Sequence, residues 1–162
     1  MALPTNPATH KYLFTDDIIF VQKAVIMHPT DPTFLSIKRS ENERVRPNTW
    51  DLPGGCTLYG ETHTAALTRE IMEETGLLVT FPQAIFASTS FDPLQPMYFM
   101  LLASRCRTTS DHVILSEEHL EFMWVTPEDF LKDDPAYTFV ENRPLNPQST
   151  DFLRDIVHYC FR

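Results

Sequence analysis

Six short stretches of the chain gather β-branched and aromatic residues between turn-forming ones. They are Asp17–Met27 (DIIFVQKAVIM), Phe34–Arg39 (FLSIKR), Thr49–Pro53 (TWDLP), Ala84–Phe91 (AIFASTSF), Met97–Cys106 (MYFMLLASRC) and Glu121–Thr126 (EFMWVT), and each reads as a strand. Three further stretches have helical rhythm. Thr62–Thr75 is the longest, Pro127–Lys132 opens on a proline suited to a first helical turn, and Ser149–Tyr159 repeats Phe152, Ile156 and Tyr159 at helical spacing. Strands interleaved with helices predict an α/β domain with a mixed sheet. Neither the polar N-terminal tail over residues 1–12, expected to be flexible, nor the Pro-rich passage ENRPLNPQ (Glu141–Gln148) looks like a domain boundary, so residues 1–162 are expected to form a single domain.

The helix after Gly60 has clear ends. Thr62 is a suitable N-cap, and Gly76 suits the left-handed position just past the last turn. Within it Leu67 and Ile71 fall toward a core, while Glu70, Glu73 and Glu74, at i, i+3 and i+4, share one face. The ordinary reading of such a face is a solvated acidic surface. Solvated helices, however, normally interleave lysine with glutamate, and this one has no lysine and a single Arg69. The glutamates also stand toward the C-terminal end, where the helix dipole opposes negative charge. A compensating cation is expected, and Mg²⁺ is the natural one, because it takes hard carboxylate oxygens and also grips substrate phosphates.

Composition narrows the choice further. The 162 residues are 43% hydrophobic and 12% aromatic, which suits one ordinary core. A net charge of −9 argues against a nucleic-acid polymer as partner, since that binding rests on attraction to phosphates. Cys56, Cys106 and Cys160 form no CxxC pair and leave one thiol unmatched, which points to a reduced cytoplasmic setting with each cysteine as a packing residue. No charged start followed by an apolar run opens the chain, and the longest apolar stretch, Met97–Ala103, is far too short to span a bilayer. No membrane partner is expected.

From Gly55 to Leu77 the chain reads G-x5-E-x7-R-E-I-M-E-E-T-G-L. This resembles the signature box of the Nudix hydrolases at every defining position: Gly55, Glu61, Arg69, Glu70, Ile71, Glu73, Glu74, Gly76 and Leu77. The likeness continues in TWDLPGG before the box and EEHLEFMWVTPEDF after it. It implies a Nudix-type α/β/α sandwich with a mixed β-sheet, and Mg²⁺-dependent hydrolysis of a nucleoside diphosphate linked to another moiety, with Mn²⁺ as a substitute. By the same resemblance Glu73, Glu74 and the carbonyl of Gly54 are metal ligands, and Glu70 is either a further ligand or the base that takes the proton from water. Arg69 would orient Glu70, the plain alternative being a surface arginine paired with Glu73 at i+4. Gly55 supports the loop, and Glu61 braces it or reaches a second ion. A further acid is often recruited from a loop before the last strand, where Glu117 and Glu118 stand; Glu118 is favoured, as the residue before the histidine, against a solvated acidic turn. Arg39, closing FLSIKR, is a candidate contact for substrate phosphates, although an exposed strand-end cation is an equal reading. His63 and His119 lack ligand spacing and read as surface or loop residues.

The short chain and the strand-loop IKRSENERVRPNTWDLPGG favour the nucleotide-pool sanitising branch, which converts a nucleoside triphosphate to monophosphate and pyrophosphate, as monomer or homodimer. Pro93, sixteen residues beyond Leu77, stands where a proline marks ADP-ribose hydrolases, but the Ser-, Pro- and Gly-rich surroundings of that group are missing from SFDPLQPMY. Other nucleotide-sugar and dinucleotide pyrophosphatases remain alternatives. A non-catalytic sensing module would be expected to have lost glutamates from the box, and this chain has lost none. The isopentenyl diphosphate isomerase variant of the fold uses a catalytic cysteine in surroundings that Cys56 does not share.

Overall fold

The computed structural model describes residues 17–44, 46–92, 97–132 and 147–162. Pro93, the tail over 1–12 and residues 141–146 of ENRPLNPQ lie outside the described residues. Among the described residues, six strands and three helices follow in the order β1 (Asp17–Met27), β2 (Phe34–Arg39), β3 (Trp50–Asp51), α1 (His63–Thr75), β4 (Val79–Asp92), β5 (Met97–Thr108), β6 (His119–Val125), α2 (Pro127–Leu131) and α3 (Pro147–Cys160). The sheet runs β3-β2-β1-β5-β4, with β6 also pairing with β2. It is mixed, because β1 lies parallel to β5 while β4 with β5, and β2 with β3 and β6, are antiparallel.

Strand alternation makes a sandwich of this sheet. Along β1, Ala24 and Ile26 join Leu35, Ile37 and Cys106 under α1's Leu67 and Ile71, while Val25 points the other way to Phe34, Phe130 and α3's Phe152, Leu153 and Ile156. Helices thus cover both faces, giving the expected α/β/α arrangement. Leu67 and Ile71 are completely buried, and truncating either to alanine would cost about 2–5 kcal/mol.

Several element boundaries differ from the sequence reading, three of them for a clear local reason. TWDLP supplies only Trp50 and Asp51 to the sheet, since the chain turns at Leu52 toward the two glycines. β4 begins at Val79, not Ala84: it tolerates Pro82 because the register with β5 slips between Thr80 and Gln83, a bulge that spares the missing N–H. β6 begins at His119, which pairs with Arg39 across a second irregularity.

Both ends of α1 are fixed as its sequence implies. Thr62 adopts extended backbone and its hydroxyl accepts from Ala65 N at 3.2 Å, a cap worth about 1 kcal/mol. Gly76 has φ of 68° and its amide donates to Met72 O at 2.9 Å. The helix is then docked at both sides. β1 anchors the loop ahead of it through Ala24 N to Pro53 O, Gln22 N to Gly55 O and Thr57 N to Phe20 O, at 2.8, 2.8 and 2.9 Å. Behind it, Ile114 N and Ser116 N donate to Thr75 O and Glu74 O at 2.9 and 3.1 Å, which lays the 114–118 loop along the helix end.

Candidate active site

Arg69 is the hub of the carboxylate face. Its Nε and Nη2 grip both oxygens of Glu61 at 2.7 and 3.0 Å, its Nη1 donates to Glu70 Oε1 at 2.9 Å and Glu73 Oε2 at 3.1 Å, and Nη2 also reaches the Cys56 carbonyl at 3.2 Å. The i+4 pair with Glu73 is therefore one part of a larger network, which holds Glu61 and Glu70 more closely. The hydrogen bonds from Arg69, with one from the Leu58 amide, bring Glu61 down to about 2, while the same carboxylates raise Arg69 above its already high value. Glu61 also closes the loop tip, since its Oε2 accepts from Leu58 N at 2.9 Å.

Glu70, Glu73 and Glu74 share a face but not an environment. Glu73 is 60% exposed, Glu70 18% and Glu74 9%. Glu70 lies against the glycine turn so closely that a Cβ on Gly55 would come within 2.5 Å of its carboxyl carbon and Oε2. Glu74 reaches under the same turn, where its Oε2 accepts from Gly54 N at 2.7 Å. Burial pushes Glu74 up to about 7, with Asp51 and Glu70 adding to the rise and Lys23 and the Gly54 amide opposing it. Gly54 itself has φ of 133°, and a Cβ there would meet Gln22 O at 2.2 Å, so this turn can be built only with glycine.

A second hub lies below the turn, and nothing local in the sequence announces it. Asp51, 1% exposed, accepts from Arg46 Nη2 at 2.7 Å and pairs with Lys23 Nζ at 2.9 Å and Arg39 Nη1 at 3.7 Å. Lys23, 5% exposed on β1, also donates to Leu52 O at 3.0 Å. Burial would raise the Asp51 carboxyl, but the three cations together hold it far below the usual carboxylate range. Arg39 is therefore no loose strand-end cation: besides Asp51 it holds Glu43 at 2.9 Å. Arg46 and Asn48 on the connecting loop take φ of 50° and 58°, left-handed backbone that brings this cation back onto the site.

The acidic loop reverses one expectation. Glu118 is exposed in the turn before β6, its carbonyl accepting from Ser40 N at 2.8 Å. His119, expected as a surface or loop residue, opens β6 and is 6% exposed, with Nε2 3.7 Å from Glu74 Oε1 and Nδ1 3.3 Å from Ser116 Oγ. Burial, followed by Arg39 and Lys23, lowers it to about 4, so at neutral pH it meets Glu74 as a neutral imidazole and not as an ion pair. Its signal was the position itself, between an acidic turn and an apolar strand. Cys56 is likewise corrected: it is exposed at the loop, while Cys106 and Cys160 are buried packing residues, and all three are free. His63 is half-buried at the start of α1, with Nε2 3.0 Å from Ser104 Oγ.

The donors fit a hard divalent cation in chemistry. Glu61, Glu70, Glu73 and Glu74 supply carboxylate oxygens in excess of the one neighbouring Arg69. In their present rotamers they serve Arg69 and Gly54, and among the described residues no three His, Cys, Asp or Glu side chains converge as a ready-made ion site. The proposed ligands Glu70, Glu73, Glu74 and Glu118 are thus not brought together as one set. No helix among the described residues is long and apolar enough to cross a membrane. Beside the loop tip a cavity of about 870 Å³ opens between the N-terminal half of β1, β5 and residues 57–63.

The chain is similar to known proteins. The NUDIX domain model matches residues 21–145. The nucleoside triphosphatase NudI of Escherichia coli is 34% identical over 113 residues, covering 64% of this chain and 80% of that protein, and the Shigella flexneri NudI matches to the same extent. Among solved structures, the MutT protein of Methanosarcina mazei superposes with a TM-score of 0.66 at 26% identity, over 93% of this chain and all of that one. The MutT NUDIX hydrolase of Burkholderia pseudomallei has a TM-score of 0.67 at 20% identity over 89% of this chain and 98% of its own, a likeness of fold.

Proposed function

The chain belongs to the NUDIX family, and from that premise we propose that it is a pyrophosphohydrolase that cleaves a nucleoside triphosphate to the monophosphate and pyrophosphate with Mg²⁺. One observation carries the reading. All four box glutamates are present around the Gly54–Gly55 turn, three of them on Arg69 and the fourth, apart from that network, on the Gly54 amide. A sensing module has no use for such a set.

Glu73, Glu74 and the Gly54 carbonyl would hold the ion, with Glu70 and, from its loop, Glu118 as further candidates; Mn²⁺ would substitute. Bound there, Mg²⁺ would neutralise charge on the phosphates and acidify nearby water. The remaining duties fall to the chain. Arg69 grips Glu70 Oε1 and the Gly55 backbone lies close against the carboxylate, so the side chain is positioned through Oε1 and Oε2 is the atom we assign to take the water proton. Arg69 also gathers charge that would otherwise drive the glutamates apart. Arg39, with Arg46 beside it on Asp51, receives the outer phosphates, which match the excess of cations at that hub. Burial pushes Glu74 up to about 7, and a cation bound beside it would favour the anion.

We read residues 1–162 as one domain, a monomer or homodimer, with three free cysteines that suit a cytoplasmic setting. The test is a screen of the purified protein with Mg²⁺, and with chelator, against nucleoside triphosphates, ADP-ribose, dinucleoside polyphosphates and sugar nucleotides. Fastest chelator-sensitive turnover of a nucleoside triphosphate is expected. Faster hydrolysis of ADP-ribose or a sugar nucleotide would replace the substrate assignment, and no turnover of any would favour a sensing role.

A further inference from the structure

The face of β1 that carries Ala24 and Ile26 is roofed by α1 only in part, because the helix starts at His63 and runs over the C-terminal half of the strand. Over the N-terminal half lies the cavity of about 870 Å³, a size typical of sites for small organic ligands. Register places much of its wall on one sheet face, where Phe20 stands opposite Met100 and Gln22 opposite Leu102. Four large apolar side chains at its mouth are exposed: Phe20 by 49%, Met100 by 42%, Leu58 by 57% and Tyr59 fully.

Two polar groups in this apolar wall have no protein partner among the described residues. Gln22 is 2% exposed; its Nε2 donates to Thr57 Oγ1 at 2.6 Å, and its Oε1 is buried without a hydrogen bond. His63 spends Nε2 on Ser104 Oγ at 3.0 Å, and its Nδ1 is buried without a hydrogen bond. Buried acceptors left unmet are costly and rare. Both side chains line the cavity, and so does Glu61, which Arg69 ties to the catalytic face.

We propose that this cavity seats the base of the nucleotide substrate, a planar purine or pyrimidine ring that packs against Phe20, Tyr59 and Met100 and gives an N–H to Gln22 Oε1. The proposal rests on the nucleotide reading above and adds the residues that choose the base. An aliphatic ligand would leave Gln22 and His63 unmet, and a sugar or phosphate would waste the apolar wall; a heteroaromatic ring meets both demands. His63 Nδ1 offers a second hydrogen-bonding point on the ring edge. Glu61 marks the end of the cavity from which the phosphates run to α1.

The experiment uses nucleosides without phosphate or metal, so that it is read independently of hydrolysis. Amide NMR spectra are followed while adenosine, guanosine, cytidine, uridine or inorganic tripolyphosphate is added to the full chain. At least one nucleoside should shift the amides of Gln22, Thr57, Tyr59 and Met100, and tripolyphosphate should not. Gln22→Leu, close in volume, should weaken that nucleoside and raise KM for its triphosphate roughly three- to tenfold, with kcat moving far less. Tyr59→Ala, at a fully exposed position that leaves the fold alone, should act in the same direction, and inhibition by tripolyphosphate should be unaltered in both. The proposal falls if no nucleoside moves these amides, if both variants keep the parent KM, or if the patch proves to be covered by a second copy, seen as a dimer in sedimentation that Tyr59→Ala splits. Nucleoside binding at these residues without any hydrolysis would uphold the cavity and sink the enzymatic reading alone.

Discussion

Two charge clusters flank the Gly54–Gly55 turn and are near-opposites. Around Arg69 one partly exposed cation holds three carboxylates, Glu61, Glu70 and Glu73; around Asp51 one buried carboxylate holds three cations, Lys23, Arg39 and Arg46. The first carries surplus negative charge in reach of solvent. The second carries surplus positive charge around a centre sealed from water. Exposed ion pairs contribute little to stability, whereas a buried charge that loses its partner is strongly destabilising. The difference implies a division of labour: the Arg69 cluster is free to exchange partners and do chemistry, and the Asp51 cluster fixes the turn and aims cations at phosphates. Glu74 lies between them, buried like Asp51 but lacking a direct cation.

The contrast breaks first at the carboxylates. Glu73→Gln or Glu74→Gln should lower kcat about a thousandfold or more with the circular dichroism spectrum unchanged, since the amide keeps shape and loses the charge that holds Mg²⁺. Near-normal turnover in either would remove the carboxylate face from the mechanism. Asp51→Asn should do its damage to the fold: three cations lose their anion, unfolding free energy falls by about 3–5 kcal/mol, and Tm drops by roughly 10 °C in a calorimeter. A Tm within a degree or so of the parent would mean that the buried hub is not structural.

The adjacent glycines sharpen the same division. A methyl on Gly55 strikes the far end of the Glu70 side chain and not backbone, so Gly55→Ala should cut kcat roughly 10–100-fold and leave Tm nearly unmoved. On Gly54 the methyl strikes Gln22 backbone at a φ of 133°, so Gly54→Ala should lower Tm by several degrees, about 1–3 kcal/mol, before any effect on rate is read. Equal loss of stability in the two would erase the distinction. The smallest effect is the response to pH. Glu74 stands at about 7 in the fold against an ordinary 4.5, so the metal-free protein gains stability from the neutral acid. That gain is full below about pH 4.5 and is lost as pH rises through about 7. Mg²⁺ reverses the preference, and the rise in Tm on adding it should be a few degrees larger at about pH 8 than at about pH 5. The same rise at both would count against Glu74 as the titrating ligand.

Local rules carried much of this molecule. Strand alternation and helical spacing placed β1 and β2 to the residue, Thr62 and Gly76 announced both ends of α1, and the i, i+3, i+4 spacing put three glutamates on one face. What they could not give was depth. Glu73 and Glu74 are neighbours in sequence, yet one is open to water and the other lies under a turn twenty residues upstream. Lys23 reads as the polar interruption of an apolar strand, and only pairing across the sheet shows it buried on Asp51. His119 was misjudged for the same reason, because the surface that buries it comes from the end of α1. Pro82 hid the first residues of β4, since its cost is removed by a slip in pairing with β5 between Thr80 and Gln83.

The most direct test of the account follows the phosphorus. A nucleoside triphosphate incubated with the enzyme and Mg²⁺ is read by ³¹P NMR as it is consumed. The proposed reading predicts cleavage of the anhydride between the first and second phosphates, so monophosphate and pyrophosphate should appear in equal amounts and vanish together in Glu74→Gln. Diphosphate with orthophosphate as the first products, or unaltered product formation by that variant, would contradict it.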